Sequence, residues 1–189
     1  MAENKVKYDL SAAYFAPVTQ ETEGSVTYDT PERIPGAVSV SLSAEGDEAD
    51  FRADGTVYVH TYTNNGYSGD LELALVPDSF REKCLGEKTD VSGVISEQED
   101  AVHTPFALIL EFKGDKKRIR HVFYYCTAAR PSVEGENPDS REPKTETVAV
   151  TAAPRPVDGM VKAKTTDTTG EDVYESFFQK VYEPGEMKG

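Results

Sequence analysis

Histidine and cysteine are the side chains here that most directly suggest metal or nucleophilic chemistry. The three histidines are His60, His103 and His121, and the two cysteines are Cys84 and Cys126. A zinc site needs closely spaced ligands, and these five residues are widely separated along the chain. We therefore expect no zinc site. We interpret His60 and His121 as hydrogen-bonded strand residues, His103 as a loop residue and both cysteines as buried thiols.

An acidic stretch near the first third of the chain contains part of a calcium-binding pattern. Asp50, Asp54 and Gly55 match positions of an EF-hand loop. However, Arg52 stands at the third ligand position, and Thr61 stands at the twelfth, where a bidentate Glu is required. The pattern fails at these positions, so we expect no metal and no other cofactor.

Signatures of common enzymes are also missing from the sequence. It contains no glycine-rich phosphate loop, no Gly-x-Gly-x-x-Gly and no Gly-x-Ser-x-Gly elbow. Paired carboxylates for glycoside hydrolysis arise by chance in any acidic β protein, and no pair stands out. The sequence therefore predicts a protein without catalytic function.

Alternating apolar and polar residues predict that the chain consists mostly of β-strands. This period of two places every second side chain on the same face of a sheet. The alternating apolar positions are Val38, Val40 and Leu42; Leu71, Leu73 and Leu75; Phe106, Leu108, Leu110 and Phe112; and Val148 with Val150. We expect a mainly β, antiparallel fold in a single domain that spans residues 1–189.

Turn residues predict two β-hairpins. Asn-Gly readily adopts the positive φ angles of a type I′ turn, and Gly-Asp is a common turn pair. The predicted turns and strand pairs are Asn65-Gly66 between residues 56–63 and 67–76, and Gly114-Asp115 between residues 105–113 and 118–129.

Two helices are predicted beside these strands. The first covers residues 77–85, with Pro77 at its first position and Gly86 just past its end. The second covers residues 171–182 behind the candidate cap Thr169. The side chains expected to face the core are Phe80 and Cys84 on the first helix and Val173, Phe177 and Val181 on the second.

Three polar stretches are predicted to be exposed loops, at residues 44–50, 87–103 and 131–143. A loop of about twelve residues or more, like the second and third stretches, is usually functional or mobile. Their acidic residues are our candidate functional positions: Glu45, Asp47, Glu48 and Asp50 in the first stretch; Glu87, Asp90, Glu97 and Glu99 in the second; and Glu134, Glu136 and Asp139 in the third.

The net charge of −14 is the strongest signal in the composition. It disfavours a surface that grips nucleic acid, and it would keep nearby DNA from sticking. Residues 1–10 are polar, which argues against a secretory signal, and apolar runs such as residues 106–110 are far shorter than the roughly 20 residues that span a bilayer. We expect synthesis in the cytoplasm and no membrane role.

Seven segments, in the same order, resemble the major tail protein family of long-tailed, siphovirus-type bacteriophages of Gram-positive hosts. The first three are Tyr28-x-Thr30-Pro31-x-Arg33-Ile34-Pro35-Gly36-Ala37-Val38, Asn64-Asn65-Gly66-Tyr67-Ser68-Gly69-Asp70-Leu71-Glu72 and Pro77-Asp78-x-Phe80. The others are Pro105-Phe106-Ala107-Leu108, Lys116-Lys117-x-x-Arg120-His121-Val122, Ala129-Arg130-Pro131-x-Val133-Glu134-Gly135 and Val173-Tyr174 to Val181-Tyr182-Glu183-Pro184. The resemblance extends over almost the whole chain.

This resemblance implies a tail tube protein, a structural component of the virion. Its fold would be a β-sandwich or partly closed barrel with a helix on its flank. Copies would form hexameric rings that stack into a conduit for DNA ejection. Its partners would be copies of itself, the tail terminator, tape measure and distal tail proteins, and the passing phage DNA. Assembly would occur in the host cytoplasm, and we expect no appended immunoglobulin-like module.

The resemblance also suggests roles for the acidic candidates. Some of Glu45, Asp47, Glu48 and Asp50 would line the lumen or an inter-ring loop, although a merely solvated loop fits equally well. The stretches at residues 87–103 and 131–143 would become ordered when rings stack, or would be idle surface.

A carbohydrate-binding module of a phage tail is the alternative function. Such a β-sandwich would need exposed aromatic platforms for host-surface sugars. Tyr58, Tyr62 and Tyr67 are the candidates, unless they pack within the sheet.

Overall fold

Antiparallel β-strands form most of the molecule, which confirms the predicted mainly β fold. The computed structural model describes residues 4–135 and 143–185. The strands are β1 (Lys7–Thr22), β2 (Ser25–Tyr28), β3 (Glu32–Ile34), β4 (Ala37–Glu45), β5 (Glu48–Ala53), β6 (Thr56–Tyr62), β7 (Gly66–Leu73), β8 (Lys88–Thr89), β9 (Ile95–Ser96), β10 (Phe106–Gly114), β11 (Ile119–Ala128), β12 (Glu146–Ala153) and β13 (Lys162–Lys164). The helices are α1 (Asp78–Cys84) and α2 (Glu171–Ser176).

Nine strands form one sheet in the order β2-β1-β10-β11-β12-β7-β4, with β3 paired to β1 and β13 paired to β11. The sheet curves around one hydrophobic core. Val40 and Leu42 from β4 pack against this core, as do Leu10 from β1 and Phe112 from β10. Among the described strands, β4 pairs only with β7, so the sheet does not close into a barrel.

Strand β10 lies in the middle of the sheet and is buried on both faces. Phe106, Leu108 and Leu110 belong to the core inside the curved sheet. Ala107 and Ile109 belong to a second core on the opposite face. The predicted pairing of β10 with β11 is confirmed, from Phe106 opposite Cys126 to Phe112 opposite Ile119.

Helix α1 closes the first core, as its apolar positions predicted. Pro77 stands at the N-cap and Leu85 at the C-cap, and Phe80 and Cys84 are buried. The Phe80 ring packs edge to face against Phe15 and Phe106, with centroid distances of 5.1 and 5.2 Å. The Cys84 and Cys126 side chains are free thiols buried in this core, and burial raises the pKa of both.

The predicted hairpin at Asn65-Gly66 is wrong. Strand β6 pairs with β5, and β7 pairs with β4 and β12. Asn65 does not adopt a positive φ, so the pair does not form a type I′ turn. Gly66 instead allows close packing of β7 against β12, because a Cβ there would lie 2.0 Å from the carbonyl oxygen of Ala152 on β12.

The C-terminal segment covers the second core but forms a shorter helix than predicted. Helix α2 ends at Ser176, and Tyr174 faces the core while Val173 is 37% exposed. The predicted cap Thr169 instead accepts a hydrogen bond from the Thr166 N–H. Tertiary packing explains the early end. The Phe177 ring stacks on Tyr182 with a centroid distance of 5.7 Å. The Phe178 ring stacks on Tyr14 of β1 with a centroid distance of 4.3 Å.

A buried ion cluster joins this segment to the sheet. Glu111 of β10 is 4% exposed, and its carboxylate accepts hydrogen bonds from Arg118 Nη1 at 2.6 Å and Arg120 Nε at 2.9 Å. Arg120 also donates to the Tyr174 carbonyl oxygen and lies 3.9 Å from the centre of that ring. Burial alone would raise the pKa of Glu111, but hydrogen bonds from both arginines and Ser11 outweigh it and lower the pKa.

Replacement of Glu111 with Gln should therefore lower the free energy of unfolding by about 3 kcal/mol at pH 7, since it leaves Arg120 without its anion. The folded-state pKa of Glu111 lies below its ordinary value of 4.5. Its stabilising effect is thus fully present above pH 4.5 and is lost as the pH falls through the folded-state pKa. Urea unfolding of both proteins from pH 7 down to pH 3 should show the difference shrinking; a pH-independent difference would contradict this assignment.

Two tyrosines in the second core give a matched pair of substitutions. Within the described residues, the buried Tyr124 hydroxyl has no hydrogen-bond partner, whereas the Tyr28 hydroxyl donates to the Tyr124 carbonyl oxygen at 2.9 Å. We expect Tyr124→Phe to keep or slightly raise stability and Tyr28→Phe to lower it by about 1 kcal/mol. Denaturant unfolding of the two variants measures both values, and the reverse order would contradict the hydrogen-bond assignment.

Candidate functional site

A two-stranded arm projects from the curved sheet. It consists of β5, β6 and the turn between them, and we call residues 48–62 the arm. Nearly all of its side chains are exposed, and among the described strands β5 and β6 pair only with each other. At about 3.3 Å per residue the arm is roughly 20 Å long. Among the described elements, it is the one large element that contributes no residue to either core.

The tip of the arm is a two-residue turn at Asp54-Gly55. Both residues have positive φ, 53° for Asp54 and 76° for Gly55, as a type I′ turn requires. This turn matches the right-handed twist of the flanking strands. The acidic residues that resembled part of a calcium loop therefore belong to a hairpin, which no helix flanks.

Hydrogen bonds at its base make the arm a continuation of the β4–β7 pair. The Thr63 N–H donates to the Asp47 carbonyl oxygen, and the Asn65 N–H donates to the Glu45 carbonyl oxygen, both at 2.9 Å. Two side-chain bonds add to these: Asp47 N–H to Thr63 Oγ1 at 2.8 Å, and Asn65 Nδ2 to Asp47 Oδ2 at 3.0 Å. These bonds hold the arm in line with the β4–β7 pair.

The two faces of the arm differ in chemistry. Residues directly opposite each other on paired strands share a face. Glu48 lies opposite Tyr62 and Asp50 opposite His60, so these four form an acidic and aromatic face. Phe51 lies opposite Val59 on the other face, and these side chains are 64% and 44% exposed. A monomer thus presents an apolar face to water.

The first group of acidic candidates clusters on the arm and its base. The prediction that residues 44–50 form a loop is wrong, because Glu45 ends β4 and Glu48 and Asp50 belong to β5. Glu45 accepts a hydrogen bond from the Ser68 hydroxyl, and Asp50 is bonded to His60. The acidic residues suggested a loop, although residues 48–53 alternate polar and apolar side chains, which is the signal that could have revealed this strand. The role of these four acidic residues in a lumen or between rings stays a prediction.

The second group lies on a segment that contains the short pair β8 and β9. Glu87 is 8% exposed and pairs with Arg81 at 3.4 Å, so it is not the exposed loop residue that was expected. The Asp90 carboxylate accepts hydrogen bonds from the backbone of its own turn. Glu97 pairs with Arg130, and Glu99 is exposed.

In the third group, Glu134 is exposed, whereas Glu136 and Asp139 lie outside the described residues. The role of both groups in ring stacking stays a prediction.

The three tyrosines of the alternative function do not form one platform. Tyr58 and Tyr62 are each 70% exposed on the arm. Tyr67, by contrast, packs edge to face against Phe123 at 5.4 Å, and the Lys162 ammonium group lies 4.3 Å above its ring.

As expected, His60 and His121 lie in strands and His103 lies in a loop. His60 is hydrogen-bonded to Asp50, and His103 Nδ1 lies 3.0 Å from the Ala128 carbonyl oxygen. The expected hydrogen bond of the His121 side chain is not found among the described residues. Within residues 4–135 and 143–185, no three His, Cys, Asp or Glu residues are grouped closely enough to hold a metal ion. No helix in the same residues is long and apolar enough to span a membrane.

Comparisons with known proteins find a structural likeness but no match to a family model or a curated protein. The chain is similar to a protein in the cryo-EM structure of the anti-feeding prophage cap, described as the AFP tube terminating cap. The identity is 10% and the TM-score 0.42, over 85% of this chain and 93% of the other. A likeness of this degree does not establish a function.

Removal of the arm should leave the fold intact. Because Asp47 and Thr63 are already hydrogen-bonded neighbours, residues 48–62 can be replaced by Asn-Gly to close a short hairpin. We expect the free energy of unfolding to change by less than about 1 kcal/mol, since the arm contributes nothing to either core. Denaturant unfolding followed by circular dichroism tests this. A loss of about 3 kcal/mol or more would mean that the arm supports the core.

Proposed function

We propose that this chain is a structural subunit of a phage tail, and that it assembles with copies of itself into the tail tube. The observation that carries this proposal is the arm, which is ordered by hydrogen bonds at its base yet leaves both faces uncovered. An isolated two-stranded hairpin is at best marginally stable in water. Packing against a neighbouring subunit would bury Phe51 and Val59 and stabilise the arm.

Sheet edges provide further contacts for assembly. Among the described strands, β4 has no partner on its outer side, and at the other end β2 and β3 leave an edge open. Exposed edges are normally protected because they can pair with another chain. A ring-forming subunit can use them, since a contact between two different surfaces closes into a ring when the rotation fits.

The resemblance to major tail proteins supports the finer parts of the proposal. One of the resembling segments, residues 64–72, includes the end of the arm's base and most of β7. On this basis the rings are hexameric, and the partners are the tail terminator, tape measure and distal tail proteins. The role is structural, without catalysis. The net charge of −14 suits a conduit whose wall repels DNA.

Self-assembly is the central test. We expect negative-stain electron microscopy of the purified protein at increasing concentration to show rings or hollow tubes of uniform diameter. The variant with Asn-Gly in place of residues 48–62 should remain monomeric at the same concentrations, because it lacks the proposed contact. Analytical ultracentrifugation provides the second measurement. Tubes formed equally well by this variant would show that the arm is not the assembly element.

Carbohydrate binding by a phage tail module is the second candidate, favoured by the exposed Tyr58 and Tyr62. It predicts a monomer that binds host cell-wall sugars and loses this binding on Tyr62→Ala. A glycan array with both proteins distinguishes it from tube assembly.

A further inference from the structure

A pocket of about 290 Å³ opens where the two ends of the curved sheet approach each other. Its walls come from β4, β7, β10 and β11, including Val40, Leu42 and Phe112, and Lys7 and Lys162 stand at its edge. We call it the lysine pocket. The space is sufficient for one large side chain.

Lysine side chains are held over the aromatic wall of this pocket. Lys7 Nζ lies 4.3 Å from the centre of the Phe112 ring, and Lys162 Nζ lies 4.3 Å from that of Tyr67. Within the described residues, neither lysine forms an ion pair. A ligand with a carboxylate would therefore meet ammonium groups that no described carboxylate neutralises.

Three lysines surround His121 in the wall of this pocket. This residue lies in the pocket wall, and Lys164 is its register partner on β13. Burial, together with the charges of Lys7, Lys162 and Lys164, lowers the pKa of His121 to about 4. The imidazole is thus neutral at pH 7. No acidic residue of the described part of the chain lines the pocket, although the net charge of the whole chain is −14.

The arm has the complementary chemistry. Its acidic and aromatic face carries Glu48 and Asp50 together with Tyr62, which is 70% exposed. The lysine pocket offers cations at its edge and apolar side chains on its walls. Charge and hydrophobicity therefore match between two surfaces of the same chain.

We propose that the lysine pocket receives the arm of a second copy of this chain, with Glu48 and Asp50 paired to its lysines and Tyr62 against its apolar wall. This inference rests on the proposed function and specifies the contact between neighbouring subunits. The occupant is a second copy because hydrogen bonds at the base hold the arm in line with β4 and β7, where Tyr62 is 70% exposed and does not reach the pocket of its own chain.

Arm and pocket are different surfaces, so each copy donates one arm and accepts another. Such a heterologous contact continues from copy to copy until it closes into a ring or extends as a filament. The lysine pocket is thus sufficient to explain how a monomer with one arm adds to a growing assembly.

A charge-swap experiment tests the contact. The pocket variant is Lys7→Glu with Lys162→Glu, and the arm variant is Glu48→Lys with Asp50→Lys. Each variant alone sets like charges against each other, so self-association should weaken at least about tenfold for each pair lost. In an equimolar mixture, each arm meets a pocket of opposite charge. Sedimentation velocity and electron microscopy should show that mixing restores assembly.

The matched control is Lys116→Glu with Lys180→Glu, which changes the net charge as much as the pocket variant does but at exposed sites outside the arm, the pocket and the predicted stacking segments. It should assemble like the wild type. Circular dichroism and thermal unfolding confirm that every variant is folded. A zero-length carbodiimide cross-linker adds a direct readout: in a mixture of ¹⁵N-labelled and unlabelled protein, mixed-isotope peptides should join Glu48 or Asp50 to Lys7 or Lys162.

The outcomes separate this inference from the proposed function. If the wild type forms tubes and the pocket variant forms them equally well, the inference is wrong and the proposed function stands. If the folded variants fail to assemble when mixed, or the cross-links join residues of one copy only, the inference is likewise overturned. If the wild type neither assembles nor cross-links between copies, both are contradicted.

Discussion

The burial of β10 on both faces is the constraint on which the rest of the fold depends. A strand in an antiparallel sheet commonly faces water on one side, but residues from Phe106 to Glu111 are all buried. Each face therefore needs its own cover. The curved sheet and α1 cover one, and the C-terminal segment covers the other. Because Glu111 lies on this strand, its carboxylate can be buried only with the paired arginines that also hold α2.

Sequence patterns predicted the parts of the fold that local chemistry determines. Helix α1 follows from Pro77 and Gly86 at its ends, and the β10–β11 pair follows from alternation and its turn. Strand β1 was not predicted, since Pro17 interrupts its pattern. In the structure, Pro17 makes the last pair with β10, and beyond it β1 pairs with β2. A proline without an N–H is tolerated at such a change of partner.

The candidate site was harder to predict because two turn signals competed. Asn65-Gly66 and Asp54-Gly55 are both strong type I′ pairs, but only the first was predicted to be a turn, because Asp54 and Gly55 were interpreted only as part of a calcium-binding pattern. Strand pairing that is distant in sequence decides which pair forms the turn. Because β7 pairs with β4 and β12, β6 pairs with β5 and the turn forms at Asp54-Gly55. Acidic residues at positions 45–50 suggested a loop, although charged side chains suit a two-sided exposed strand equally well. Charge alone could not reveal the apolar face that Phe51 and Val59 form.

Net charge sets a physical condition on self-association. Copies that each carry −14 repel one another at long range, so association requires local attraction that exceeds this repulsion. An apolar contact alone would supply this attraction, but it would not select one relative orientation of the two copies. Lysines grouped at one pocket and carboxylates grouped on one arm supply both attraction and orientation, because other approaches bring acidic surfaces together. The overall acidity that disfavours DNA binding thus also restricts how two copies can meet.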